Sequence, residues 1–194
     1  SENDKQLIPI FFEIGQIMDD LFWEQTFGDK KILDTIQDKW MKEFALINYG
    51  AWDRLNDDKP FIPGYGPKPA TCQYYPQDLT LEEYEAFQDK NKGSHYTVLV
   101  RNDDGSLKSV LYHEYYKEKI DKVCELLDKA IGICENPSMK KYLTLRKKAL
   151  QTDDYFASDM AWMDMKDTKL DFVFGPIENY DDKLNEVKTS YEAF

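Results

Sequence analysis

The stretch HYTVLVRNDDGSLKSVLYHEYYKEKIDKVCELLDKAIGIC, residues 95–134, decides the fold class. Its first half contains two β-branched and aromatic runs, His95 to Arg101 and Leu107 to Tyr112. The Asn102-Asp103-Asp104-Gly105 segment between them supplies turn chemistry, so the pair reads as a β-hairpin. It is not a calcium loop, because the alternating ligand spacing and the distal glutamate are missing. From Tyr112 the period changes: Tyr112, Tyr116, Ile120, Val123, Leu127, Ile131 and Cys134 recur at steps of three and four, the longest helical stripe in the chain. A strand pair leading straight into a long amphipathic helix predicts an α+β fold, mainly helical, with one β-hairpin and one or two additional strands.

The same reading extends in both directions. Downstream, Asn136-Pro137 has the chemistry of an N-cap followed by proline in the first turn, and Met139, Tyr142, Leu143 and Leu145 continue a helix to about Leu150. A strand is expected next at Leu170 to Phe174. Leu184, Val187, Tyr191 and Phe194 then read as a final helical stripe with no stop signal, so the reading expects the polypeptide to continue beyond it. Upstream, Leu7, Ile10, Phe11, Ile14, Met18, Leu21 and Phe22 form an amphipathic helix. A second helix is expected after an Asp29 N-cap, with Ile32, Leu33, Ile36, Trp40, Phe44 and Ile47 on one face, packed as a helical hairpin over 6–47.

Between Asn48 and Pro76 the period vanishes, and prolines and glycines break any regular element. The segment still carries Tyr49, Trp52, Phe61, Tyr65, Tyr74 and Tyr75, which argue for a loop packed over a core or lining a cleft and against a solvated linker. Asn48, Tyr49, Trp52 and Arg54 are candidates for a cleft wall. Thr80-Leu81-Glu82-Glu83 reads as a capping box opening a short helix. The chain thus divides into the helical hairpin, an aromatic loop at 48–79, a hairpin-and-helix segment at 80–165, and a strand with a following loop at 170–194.

Composition excludes several functions. With 25 lysines and arginines against 37 aspartates and glutamates, the net charge is −12, and the surface field repels polyanions such as nucleic acid. Hydrophobic residues at 42% are nevertheless enough for a real core. No apolar run reaches the ~18 residues of a transmembrane segment. The chain opens at Ser1, so the compartment stays open between the cytoplasm and, had a leader been removed, an extracytoplasmic site.

Only His95 and His113 are present, with Cys72, Cys124 and Cys134, and no ordinary zinc site follows from those spacings. The three cysteines read as free structural thiols. His113-Glu114 lacks a second histidine four or five residues on, where Lys117 and Glu118 stand, and is read as a histidine at a helix start. No nucleophile elbow, phosphate loop or dinucleotide fingerprint occurs. Asp159 and Asp164, five apart, do not share a helix face.

Further motifs stand in a fixed order: Ile47-Asn-Tyr-Gly-Ala-Trp-Asp-Arg54, Lys59-Pro-Phe-Ile62, Leu150-Gln-Thr-Asp-Asp-Tyr155, Ser158-Asp-Met-Ala-Trp-Met-Asp164, and Leu170-Asp-Phe-Val-Phe-Gly-Pro-Ile-Glu-Asn-Tyr180. Together they resemble the dipeptidyl peptidase III family of zinc exopeptidases, particularly its bacterial members. The resemblance implies that residues 1–194 are the N-terminal region of a longer peptidase chain. The family's His-Glu-x-x-Gly-His zinc helix would then lie downstream, with zinc expected in the full-length protein, no metal ligand in this chain, and no hydrolysis by it alone. It also implies that Glu178 binds the free α-amine of a peptide substrate and that Tyr180 is catalytic, hydrogen-bonding the scissile carbonyl. The expected partners are a peptide and the remainder of the peptidase chain. One departure stands out: the family has a glycine-containing turn after the tyrosine, whereas Asp181 to Val187 contains none. The competing reading is a non-catalytic module that binds a peptide or glycan through the aromatic loop 48–75.

Overall fold

The computed structural model describes residues 1–194. In chain order the helices are α1 (Glu2–Thr26), α2 (Ile32–Thr35), α3 (Lys39–Asn48), α4 (Leu81–Ala86), α5 (Tyr112–Tyr115), α6 (Lys117–Ile133), α7 (Pro137–Thr152) and α8 (Phe156–Met163). The strands are β1 (Trp52–Asp53), β2 (Lys59–Pro60), β3 (Thr97–Arg101), β4 (Leu107–Leu111), β5 (Phe174–Glu178) and β6 (Ser190–Ala193). They pair only as β1-β2, β3-β4 and β5-β6. With 46% helix and 12% strand in small antiparallel hairpins, the chain is α+β and mainly helical, as the sequence predicts.

By internal packing the chain forms two units. The first comprises Ser1–Leu21, Val110–Ile177 and Tyr191–Phe194. Here α6 packs on α7 and α7 on α8. Asn136 caps α7 by accepting from the Ser138 and Met139 amides at 3.0 Å each, with Pro137 in the first turn where its missing N–H is not needed. The aromatic rings of this core form a chain: Phe11 stacks on Phe172 at 4.5 Å between centroids, and Phe172 stacks on Phe174 at 4.7 Å. Tyr191 of β6 is fully buried against Tyr112 and Tyr116, 5.6 Å from each ring. The helix-start histidine, His113 in α5, bonds the nearly buried Asp153 through its Nδ1 at 2.8 Å. Asp159 does not meet Asp164 but pairs with the buried Arg146 at 2.6 Å.

The second unit comprises Phe22–Ser109 and Glu178–Ser190. Its core joins residues of short helices and strands with aromatics from the intervening loops. Trp23, Ile32, Leu33, Ala45, Ala51, Trp52 and Ile62 form one cluster, and Cys72, Tyr74, Tyr75 and Leu99 another. Gly50, at φ +148°, follows the left-handed cap residue Tyr49, and a Cβ there would sit 2.6 Å from Phe27 Cδ2. The 48–79 segment is therefore packed, with Trp52 Nε1 donating to Gly66 O at 2.8 Å. The 95–112 hairpin forms as predicted, closed by Asn102 N–H on Ser106 O at 2.8 Å. Thr80 caps α4 by accepting from Glu83 N, while the Glu83 carboxylate turns instead to Arg101 at 2.7 Å.

Besides the short β1-β2 pair inside the 48–76 segment and the break at Tyr116 that separates α5 from α6, three elements differ from the sequence reading. The second helix divides into α2 and α3, because Ile36 turns extended and Asp38, accepting from Met41 N at 2.7 Å, starts a new helix. The break changes the phase, so Ile32 and Leu33 are buried while Trp40 and Ile47 are 75% and 70% exposed. The strand placed at Leu170 to Phe174 begins where that range ends, running Phe174–Glu178 through Pro176, a residue tolerated in a two-stranded edge pair. The helix expected from Leu184 to Phe194 does not form. The Asp182 carboxylate takes the amides of Leu184, Asn185, Val187 and Lys188, which bends the backbone into a loop, and Ser190–Ala193 pairs with β5.

Candidate functional site

Glu178 is the last residue of β5 and its side chain is exposed. Tyr180, two residues on, is 46% exposed. The backbone on either side of them is tied down. Ser190 Oγ donates to Glu178 O at 2.9 Å. Asp182 N donates to Asn179 O at 3.2 Å, and Asn179 Nδ2 to Glu186 O. Lys183 N donates to Ala70 O at 3.2 Å, and the Cys72 thiol to Asp181 O at 3.3 Å. Two exposed side chains thus project from backbone that has little freedom.

The strongest electrostatic feature lies directly after Tyr180. Asp181 is 2% exposed, and each of its carboxylate oxygens meets one cation. Arg54 Nη2 donates to Oδ2 at 2.8 Å and Lys68 Nζ to Oδ1 at 2.9 Å. Burial pushes the Asp181 carboxyl up, but Arg54 and Lys68 overcome that and hold it below the usual carboxylate range. For Arg54, burial opposes the charge, yet the hydrogen bond and the charge of Asp181 together with weaker neighbouring charges outweigh it and raise the guanidinium. The Asp58 carboxylate acts in the same direction, as would a phenolate at Tyr180. Arg54 is fixed in turn by Nε donating to Asn48 O at 3.1 Å and by the Phe22 ring, 5.0 Å from its guanidinium carbon.

Asp182, fully buried, also accepts from the Tyr75 hydroxyl at 2.8 Å. Lys188, fully buried, donates to Lys92 O, Ser94 O and Thr97 Oγ1 at 2.7–2.9 Å. Burial pushes the Lys188 ammonium down to about 8, against the opposing charges of Asp182 and Asp89. The loop after Tyr180 has no glycine, and its Glu186 stands at φ +55°, in the left-handed region. A residue with a side chain is disfavoured in that conformation, which glycine adopts freely.

No group of three or more histidine, cysteine, aspartate or glutamate side chains is arranged to hold a metal ion. His113 uses Nδ1 on Asp153, and His95 uses Nδ1 on Val187 O at 2.7 Å. All three cysteines are free and buried, and burial pushes the thiol of Cys72 up to about 12 and that of Cys124 to about 11. The residues present do not fit a zinc site.

Arg54 was legible as a candidate from its motif, though as a cleft wall; its bond to Asp181, more than a hundred residues away, was not. Asp181, Asp182, Lys68 and Ser190 carried no sequence signal. Of the aromatic loop, Trp52, Tyr74 and Tyr75 are at most 9% exposed, so these rings serve packing rather than a binding face. No helix is long and apolar enough to cross a membrane.

No family model matches the chain. Two solved structures match along all of it. Dipeptidyl peptidase III from Caldithrix abyssi is 38% identical with a TM-score of 0.94, and the chain covers 39% of it. The corresponding enzyme of Corallococcus sp. strain EGB is 29% identical with a TM-score of 0.92, and the chain covers 38% of it. A curated relative, Nudix hydrolase 3 of Arabidopsis thaliana, is 26% identical over 259 residues, matching all of this chain and 33% of that protein. The chain spans about two fifths of the solved structures and a third of the curated relative. In sequence and fold it is dipeptidyl peptidase III-like, similar along its whole length to an N-terminal portion of the bacterial structures.

Proposed function

We propose that the chain is the N-terminal region of a zinc-dependent dipeptidyl peptidase that releases dipeptides from peptide N-termini, and that it supplies substrate contacts to that reaction. Glu178 takes the terminal ammonium in a charge-assisted hydrogen bond, which an internal peptide bond cannot offer. Tyr180 donates its phenolic proton to the scissile carbonyl as negative charge develops on the oxygen. Zinc belongs to the full-length protein, with no ligand from these 194 residues, and the acidic surface attracts peptide amines. The observation that carries this reading is the likeness to the Caldithrix abyssi structure over the whole chain, together with exposed Glu178 and Tyr180 side chains on anchored backbone.

The test is a dipeptidyl-naphthylamide assay on the full-length protein with zinc. Glu178→Ala should lower kcat/KM by about 10- to 100-fold, the size of a lost charged hydrogen bond. An N-acetylated substrate, which has no ammonium, should be cleaved poorly by wild type and variant alike. Wild-type kinetics in Glu178→Ala would remove the amine-anchor assignment.

A further inference from the structure

The Tyr180 phenol is exposed, while the next residue is almost wholly buried. Backbone that turns one side chain out and its neighbour in holds the outer one only as firmly as the inner one is held. Here the inner one is a carboxylate clamped on both oxygens, by Arg54 from the 48–54 segment and by Lys68 from the 59–69 segment. Lys68 is itself 8% exposed and reaches Asp58 at 3.4 Å. Arg54 cannot shift without losing the Asn48 carbonyl and its seat on Phe22. An apolar residue at 181 would fill the same space without fixing direction, whereas a two-cation clamp has one geometry.

We propose that Arg54 and Asp181 are positioning residues for Tyr180: the guanidinium, through the Asp181 carboxylate, sets where the phenol points and thereby the rate of the chemical step. This rests on the catalytic reading of Tyr180 given above. Glu178 is held separately, by Ser190 on its carbonyl, so the clamp governs the phenol and not the amine contact.

The experiment uses the full-length protein, with Arg54→Met, Arg54→Lys and Tyr180→Phe assayed on a dipeptidyl-naphthylamide, and a fluorotyrosine placed at position 180 and read by fluorine NMR. Arg54→Met keeps the apolar stem and loses the Arg54 half of the clamp, with Lys68 still on Oδ1. It should lower kcat by about 100-fold, as for an ångström-scale misplacement, with KM unchanged within about threefold. Arg54→Lys should recover about a tenth of wild-type kcat, since it restores charge without the fork. The fluorine line should broaden or split in Arg54→Met. An unchanged line with kcat within about twofold of wild type would overturn the proposal and leave the clamp a purely stabilising contact. So would an unchanged kcat in Arg54→Met alongside an inactive Tyr180→Phe. A broadened line with a fully active Tyr180→Phe would uphold the positioning and refute the catalytic role of Tyr180.

Discussion

Replacing Glu186 by glycine should tighten the loop that follows Tyr180. Glu186 is exposed, its carboxylate makes no hydrogen bond or ion pair, and its backbone stands at φ +55°. A non-glycine residue in the left-handed region is disfavoured by about 1–2 kcal/mol. Glycine removes that strain but adds about 0.4–1 kcal/mol of unfolded-chain entropy. The difference leaves about 0.5–1 kcal/mol in favour of the closed loop. The amides of Val187 and Lys188, bonded to Asp182 Oδ2 at 3.0 and 2.9 Å, report directly on opening. Their hydrogen-exchange protection in the full-length protein should rise about twofold to fivefold in Glu186→Gly. Glu186→Ala separates the two possible causes, because it deletes the carboxylate and keeps the backbone penalty, and it should leave protection unchanged. Equal effects of alanine and glycine would show that the side chain, not the backbone, limits the loop, and the argument from φ would fail.

Two further perturbations test the packing. Lys188 is held down to about 8 from an ordinary 10.5, so between those values the unfolded chain carries a proton that the folded chain has released, and stability rises with pH. The urea stability of wild type minus that of Lys188→Met should rise by about 1–2 kcal/mol between about pH 7.5 and pH 9.5. Cys72, Cys124 and Tyr75, all pushed up by burial, work the opposite way at alkaline pH but cancel in the difference, and a flat or falling difference would refute the assignment to Lys188. Gly175 stands at φ +127°, and a Cβ there would lie 3.4 Å from Arg146 Nη1 and 3.5 Å from Tyr155 Cε1. Gly175→Ala should destabilise by about 1–3 kcal/mol, whereas Gly66→Ala, with open space around it and ordinary φ, should change thermal unfolding by less than about 0.5 kcal/mol.

Local signals were read correctly where the decisive partners lie within a few residues. The 95–112 hairpin, the Thr80 and Asn136 caps and the α6 stripe are of this kind, since turn geometry, capping and the 3.6-residue period act over one or two turns of chain. The misread elements each depended on something further away or on a competition. Asp38 as a cap outcompeted the continuous stripe from Ile32 to Ile47. Asp182 captured four amides that a terminal helix would otherwise have used. Val173 and Phe194 exchange both backbone hydrogen bonds, at 3.0 and 2.8 Å, which carries the last residues into an extended pairing rather than a helix.

The candidate site divides along the same line. Glu178 and Tyr180 were named as candidates because the order of short motifs along the chain resembles one family, and that order survives in a linear text. The clamp around them was not, since Asp181 looks like any loop carboxylate until Arg54 and Lys68 come within 3 Å of it. By itself the sequence determined an acidic, mainly helical α+β chain with a hairpin, free cysteines and two site residues suggested by likeness. Only the tertiary structure decided which loop aspartates are buried, which cations hold them, and that Glu186 takes a left-handed backbone. Burial and ion pairing between segments more than a hundred residues apart depend on the whole packing, and no local pattern encodes them.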